Sequence, residues 1–390
     1  MDMELAERPT IVDLFCGAGG LSEGFRQAGF EILLGVDSDH WAAETYRKNH
    51  GKCLERKIED VTAEMIYREA GTRNITVLAA GPPCQAFSTV AVAKLKDLGK
   101  STTIRNPLNR LYREFLRLVK EIEPPFFVME NVGRMFSIND GMIKKEIESE
   151  LEGKYEVTFY YENVADFGVP QIRKRGIAIG NRLKVKNPVL VHTHSDIDTE
   201  AGEGKRPYET IRSAISDLPR IKAGGGRRKM KYHGRNLTDY QRRRRERADE
   251  FVYYHVARTH SKKDLTIFKL LKQGQWIKDL PKRYNRYRDD IFLDKYKKQS
   301  WDRPSSTILA HLSKDGLMFI HPDGRQNRSF TPREAARLQS FDDRYPFEGQ
   351  RTSQYIQIGN AVPPLFGKAI GKGIIESLGE RIPITISIRR

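Results

Sequence analysis

Through the first half of the chain, short apolar runs alternate with segments whose apolar residues recur at helical spacing. Thr10–Leu14 (TIVDL) reads as a strand ending in the Gly-rich stretch FCGAGG, and Leu21–Ala28 follows as a helix. Glu31–Val36 predicts a second strand that closes at Asp37, and residues 39–49 a second helix. Ile75–Ala80 (ITVLAA) is another buried strand, with Pro82-Pro83 breaking the chain just beyond it. Leu108–Ile122 carries apolar residues at helical spacing, and Phe126–Met129 is a strand ending at Glu130. Strand, helix and strand at this cadence predict an α/β fold with a parallel, doubly wound, Rossmann-like sheet. Such sheets bind ligands outside the carboxyl ends of their strands. FCGAGG, Asp37, GPPC and Glu130 all fall at those ends.

Beyond about residue 183 the alternation is lost. Gly, Pro and charged clusters (AGEGKRP, AGGGRRK, QRRRRER) take over, and 183–300 is expected to form a second, smaller, irregular domain. Regular pattern returns in TPREAARLQSF, where Thr331 is placed as N-cap, Pro332 at N1, and Glu334 completes a capping box. A last helix is expected from about Leu365 to Leu378, after the turn GNAVPP.

Charge sharpens this division. The chain of 390 residues carries a formal net charge of +17. Residues 183–300 hold 30 Lys+Arg against 15 Asp+Glu, with Tyr, His and Gly interleaved. An excess confined to one segment points to a polyanionic partner, most simply nucleic acid. No apolar run approaches the roughly 18 residues of a membrane span, and the acidic start MDMELAERPT does not resemble a signal peptide. A cytoplasmic, nucleoid-associated protein with no membrane partner is expected. Three cysteines, Cys16, Cys53 and Cys84, are too few for a disulfide framework or a zinc site.

Asp13-Leu14-Phe15-Cys16-Gly17-Ala18-Gly19-Gly20 is a strand-to-helix Gly turn of the kind that serves NAD, FAD or S-adenosyl-methionine. Phe15 in the turn can meet a cationic sulfonium or an adenine ring, which leans toward S-adenosyl-methionine. Asp37 can accept both ribose hydroxyls. Asp60 suits either a polar edge of adenine or the cap of the helix-like stretch it opens. Cys84 follows a rigid Pro-Pro turn at a strand end, which presents a thiol rather than burying it. A thiolate adding at C6 of a pyrimidine makes C5 nucleophilic, provided N3 is relieved of charge, and Glu130 stands on the same rim to do so. In QIRKR, a strand would set Gln171, Arg173 and Arg175 on one face, where guanidinium groups could hold a base oxygen or orient Glu130.

Taken in order, FCGAGG, GPPCQAFS, ENV, QIRKR, RPSSTI with TPREAARLQSF, and QIGNAVPP resemble the motif set of the DNA (cytosine-5) methyltransferase family, of the prokaryotic restriction-modification type. The resemblance spans residues 10 to about 180 and 301 to 375. It implies that S-adenosyl-methionine is the cofactor, with no metal, and that a flipped-out cytosine is methylated at C5 to 5-methylcytosine. It also implies that Cys84 is the nucleophile, that Glu130 serves N3, and that Arg173 and Arg175 hold the base with Gln171 beside them. It places Phe15, Gly17, Gly19, Gly20, Asp37, Asp60 and Val61 at the cofactor, joined by Asn360 and Val362. On this reading residues 1–182 are the catalytic and cofactor-binding domain, 183–300 the target-recognition domain, and 301–390 returns to the catalytic domain. A loop at 86–104 is expected to close over DNA.

The expected partner is double-stranded DNA, met by a monomer, with any cognate restriction endonuclease acting separately. A tRNA cytosine-C5 methyltransferase is the nearest alternative. A DNA-binding module without chemistry would leave the Cys84, Glu130 and Arg175 set unused, and a dehydrogenase would leave Cys84 unexplained.

Overall fold

The computed structural model describes residues 8–83, 111–138, 140–196, 204–233, 236–245, 250–284 and 295–379. The chain divides into two compact units. The first comprises residues 1–162, 174–191 and 366–390, the second residues 163–173 and 192–365. Residues 301–365, expected to rejoin the catalytic domain, group with the second unit, and the chain returns only at Phe366.

The first unit is built on a seven-stranded sheet in the order β3-β2-β1-β4-β5-β7-β6. Its strands are β1 (Thr10–Leu14), β2 (Glu31–Asp37), β3 (Cys53–Glu55), β4 (Val77–Ala80), β5 (Phe126–Asn131), β6 (Glu156–Asn163) and β7 (Lys174–Asn181). Strands β1 to β5 pair in parallel, while β7 runs antiparallel to β5. Every residue of β1, β4 and β5 is buried, as a parallel sheet covered on both faces requires. The helices include α1 (Gly20–Ala28), α2 (His40–His50), α3 (Ala63–Ala70) and α4 (Leu111–Ile122). In α4 the buried residues Tyr112, Phe115, Leu116, Leu118 and Val119 form the stripe that faces the core. The expected strands and helices in this half are present, with their described ends shifted by at most two residues. β5 runs through Glu130 and Asn131, so the candidate carboxylate sits within the strand end rather than after it.

Among the described residues of the second unit are a two-stranded antiparallel ribbon, β8 (Gly226–Lys231) with β9 (Phe251–Val256), and helices at Asp239–Arg245, Lys262–Leu270, Pro332–Leu338 and Arg351–Asn360. The Pro332–Leu338 helix has the expected Thr331 capping box, but the charged side chains in and before it point inward: Arg328, Arg333 and Arg337 are fully buried. Arg337 lies 2.5 Å from Asp343 and 3.1 Å from Asp217, and Arg328 lies 2.7 Å from Glu334. Burial of these charges is tolerable only because each is paired and hydrogen-bonded.

Candidate active site

All the strand-end chemistry expected at the sheet falls within the first unit. At the end of β1 the chain turns sharply: Phe15 has φ 55°, and Gly17 and Gly19 have φ 54° and 84°. A bulky residue with positive φ is costly, and such strain is retained where surrounding structure over-determines it. Here the bracing comes from below. The buried Ser22 hydroxyl donates to Asp13 at 2.7 Å and pairs with the Tyr46 hydroxyl at 2.8 Å, joining β1, α1 and α2. Burial pushes the Asp13 carboxyl up to about 7. Gly19 is the N-cap of α1 and contributes no side chain, and Gly20 opens the helix. The helix N-terminus is therefore uncovered by any capping side chain.

Asp37 closes β2 beside this turn. Its carboxylate accepts the Gly17 backbone N–H at 2.8 Å and the Asp39 backbone N–H at 2.8 Å. Burial raises its pKa, and those same donors oppose the rise. Trp41, which sequence reasoning overlooked, stands in the first turn of α2 and is 41% exposed. An aromatic residue four positions after a strand-end carboxylate was its signal in the sequence. Asp60 is exposed and does not cap the following helix, since Thr62 accepts the Met65 N–H that a cap must satisfy. Val61 is fully buried, and its carbonyl accepts from Arg117 at 2.8 Å.

One strand further, Glu130 is 7% exposed. Arg175, near the start of β7, approaches its Oε1 with Nε at 2.9 Å. Its other oxygen faces Gly81, 3.8 Å from where a Cβ would stand there. The neighbouring Asn131 donates from Nδ2 to the Pro82 carbonyl at 2.9 Å. The Gly81-Pro82-Pro83 turn is thus fastened to the strand that carries Glu130. Cys84 and the 86–104 loop lie outside the described residues. Cys16 is buried, its Sγ 3.9 Å from that of Cys53, and burial drives its thiol pKa well up. A thiol so placed is a poor nucleophile.

Gln171 and Arg173 belong to the second unit and Arg175 to the first. No strand runs through QIRKR: Gln171 forms only an isolated bridge with Ser305, and β7 begins at Lys174. Gln171 is fully buried, accepts the Ile308 N–H at 3.0 Å and donates to the Leu338 carbonyl at 2.9 Å. Arg173, 3% exposed, donates to the carbonyls of Ile308 at 2.8 Å and Ala361 at 3.1 Å. Both side chains knit the RPSSTI, TPREAARLQSF and QIGNAVPP segments together within the second unit. Asn360 ends the Arg351–Asn360 helix and is exposed, and Val362 is buried in the turn after it; both belong to the second unit.

A largely parallel sheet with a Gly turn and an acidic partner at one strand end, and a carboxylate–arginine pair at another, is a Rossmann-like arrangement. The chain belongs to the C-5 cytosine-specific DNA methylase family, whose model matches residues 9–376. It is 35% identical to the type II methyltransferase M.DdeI of Desulfomicrobium norvegicum, over 93% of this chain and 88% of that protein. It is 33% identical to the type II methyltransferase M1.HphI of Haemophilus parahaemolyticus, over 94% of this chain and 87% of that protein. Its fold is similar to that of an E. coli prophage protein described as a DNA modification methyltransferase. The TM-score is 0.74 and the identity 24%, over 95% of this chain and 99% of that one. The chain is an S-adenosyl-methionine-dependent DNA cytosine-C5 methyltransferase of the type II restriction-modification kind.

Proposed function

We propose that the chain methylates C5 of a cytosine extruded from a specific duplex DNA site, through a covalent bond between Cys84 and C6 of the base. The observation that carries this reading is the Glu130 cluster. Arg175 at 2.9 Å steers the carboxylate, and Asn131 ties the turn that leads directly into Cys84 to the same strand end. A stacked base hides its ring faces, so the cytosine must leave the helix to be attacked. The Cys84 thiolate adds to C6, while Glu130 hydrogen-bonds or protonates N3 and draws off the developing charge. Arg175 keeps Glu130 oriented and is the guanidinium left to meet the base oxygen, since Arg173 and Gln171 are committed elsewhere. C5, now enamine-like, takes the methyl group. Loss of the C5 proton then releases Cys84 by elimination and leaves 5-methylcytosine.

The first unit's residues fit the cofactor. Gly17 leaves open space where a Cβ would stand, the α1 N-terminus carries no capping side chain, and the Asp37 carboxylate is held by two backbone donors. When bound, S-adenosyl-methionine supplies an electrophilic methyl on its sulfonium. Asp37 would hold the ribose hydroxyls, Phe15 and Trp41 would flank the adenine, and Gly17, Gly19 and Gly20 would admit the cofactor closely. Asp60, free of any capping duty, would take a polar edge of the adenine beside Val61. Asn360 and Val362 are proposed as further cofactor residues on the strength of the QIGNAVPP motif. The second unit is proposed to recognise the target on double-stranded DNA, with the protein acting as a monomer apart from any restriction endonuclease.

Duplex DNA with 5-fluorocytosine at the target position tests the reading, because fluorine blocks the final elimination. In the presence of S-adenosyl-methionine it should yield a complex that survives denaturing electrophoresis, with the adduct mapped to Cys84. An adduct on Cys16 or Cys53, or a trapped band undiminished in Cys84→Ser, would overturn it. Equal methylation of tRNA would favour the RNA alternative instead.

A further inference from the structure

Many basic side chains on the described surface of the first unit are neutralised by acids. Arg47 lies 2.7 Å from Glu55, Arg73 2.7 Å from Glu64, Arg113 2.6 Å from Glu146, Lys120 2.6 Å from Glu150, and Lys154 2.7 Å from Glu123. The β8–β9 ribbon of the second unit is different. Arg227, Arg228 and Lys229 are consecutive, all exposed, and among the described residues no carboxylate pairs with any of them. Aromatic rings flank two of these charges. The Lys229 ammonium lies 4.0 Å from the Phe251 ring centre and 5.8 Å from that of Tyr253, and Arg228 lies 5.8 Å from that of Tyr254. A nearby acid, Glu250, is 3.2 Å from Lys231 at the far end of β8.

The ribbon is also firmly mounted. His255 is fully buried, with Nδ1 3.0 Å from the Thr331 hydroxyl and Nε2 2.7 Å from the Pro219 carbonyl. Arg333 donates to the Tyr253 carbonyl at 3.0 Å. At the ribbon's start Gly226, with φ 95°, packs so tightly that a Cβ would come within 2.2 Å of the His255 carbonyl. Two cations fixed on one face of a rigid strand lose little conformational freedom on meeting a polyanion. A flexible basic tail would lose far more.

We propose that Arg227 and Lys229, alternate residues on one face of β8, are the second unit's phosphate-gripping row, and that this face of the β8–β9 ribbon lies along the DNA backbone. This rests on the proposed DNA substrate and adds where the duplex is held. The exposed Arg242 and Arg243 are not the row: Arg242 is paired with Asp239, and Arg243 donates to the Asp239 carbonyl at 3.3 Å.

The test is DNA affinity against salt, read by fluorescence anisotropy on a labelled duplex containing the target site. Replacing Arg227 and Lys229 together by Ala should flatten the log–log slope by about 1.8, at roughly 0.9 for each phosphate no longer neutralised, while Arg228→Ala on the other face should change it less. KM for DNA should rise, with the defect carried mainly by KM rather than kcat. Charge reversal at Arg227→Glu and Lys229→Glu should weaken binding further. The Arg113→Ala/Lys120→Ala variant, which removes paired cations from the first unit, should keep the wild-type slope. Far-UV circular dichroism and Tm confirm that the ribbon variants fold. A methylating wild type whose slope survives the Arg227→Ala/Lys229→Ala double substitution overturns this proposal alone. A wild type that binds duplex DNA through this row but never methylates it overturns the proposed function alone. A wild type that does not bind duplex DNA overturns both.

Discussion

The Asn131 side-chain amide donates to the Pro82 carbonyl at 2.9 Å, tying the turn at the end of β4 to the end of β5. Asn131 is 4% exposed, so the carbonyl it satisfies has little water to fall back on. The bond makes two sequence-distant motifs one object: the residue after Glu130 sets the position of the residue two before Cys84. Asn131→Ala should destabilise the protein by about 1–3 kcal/mol. It should also lower the methylation rate about tenfold or more, because a nucleophile displaced by about 1 Å loses much of its advantage. Urea unfolding and single-turnover methylation check the two effects separately. A rate unchanged at full folding would mean that the turn holds its shape unaided.

Glu130→Gln keeps the size of the side chain but cannot donate a carboxyl proton to N3. Trapping on 5-fluorocytosine DNA should slow by roughly 10²–10⁴-fold, the usual weight of a general acid. Arg175→Ala should also slow it, by freeing Glu130 from its partner at 2.9 Å. DNA affinity should survive in both, and equal trapping rates in all three proteins would remove Glu130 from the chemistry.

Cofactor affinity by calorimetry separates the pocket residues. Asp37→Ala should weaken S-adenosyl-methionine about 10–100-fold, the scale of a charged hydrogen bond of about 1.5–3 kcal/mol. It also abandons the Gly17 N–H, so the turn itself loosens. Phe15→Ala and Trp41→Ala should each cost less, through lost stacking. Unchanged affinity in all three would place the cofactor elsewhere.

The arginine run at 242–245 is split in role by the fold. Arg244 lies 2.9 Å from Asp342, and Arg245 lies 2.6 Å from the buried Asp217. Arg245→Ala should destabilise the second unit by about 3 kcal/mol, since it leaves a buried carboxylate short of a partner. Arg242→Ala and Arg243→Ala should change stability by less than about 0.5 kcal/mol, as surface substitutions do. Comparable losses at all four positions in urea melts would contradict this division.

Acid should loosen the second unit through His255. Burial lowers the His255 pKa to about 4 from an ordinary value of 6.5. The unfolded chain therefore binds a proton that the folded one refuses across that interval. Stability is full above about pH 6.5 and falls as pH drops toward 4, by up to about 3 kcal/mol from this residue. Urea melts at several pH values should show a shallower acid loss in His255→Gln than in the native protein. Parallel curves would assign the loss to other groups.

What the chain determined by itself was its local grammar and its chemistry. Apolar runs bounded by Gly and Pro wrote β1, β2, β4 and β5. The residues at their ends (FCGAGG, Asp37, GPPC and Glu130) needed no partner to be recognisable, because a parallel sheet sends its strand ends to one rim. Thr331 and Glu334 announced their helix for the same reason: a capping box is satisfied within four residues. Side-chain direction outside regular structure was decided only by tertiary packing. QIRKR alternates like a strand, but Gln171 and Arg173 are drawn to carbonyls far along the chain, at Ile308, Leu338 and Ala361. Arg337 is buried in its helix because Asp217 and Asp343, distant in sequence or beyond the helix, close on it. A charged residue in sequence carries no mark of whether its partner will be a distant carboxylate or a phosphate. That is settled by which long-range interactions repay its desolvation, and it is why Arg337 and Arg245 became braces while Arg227, Arg228 and Lys229 stayed exposed.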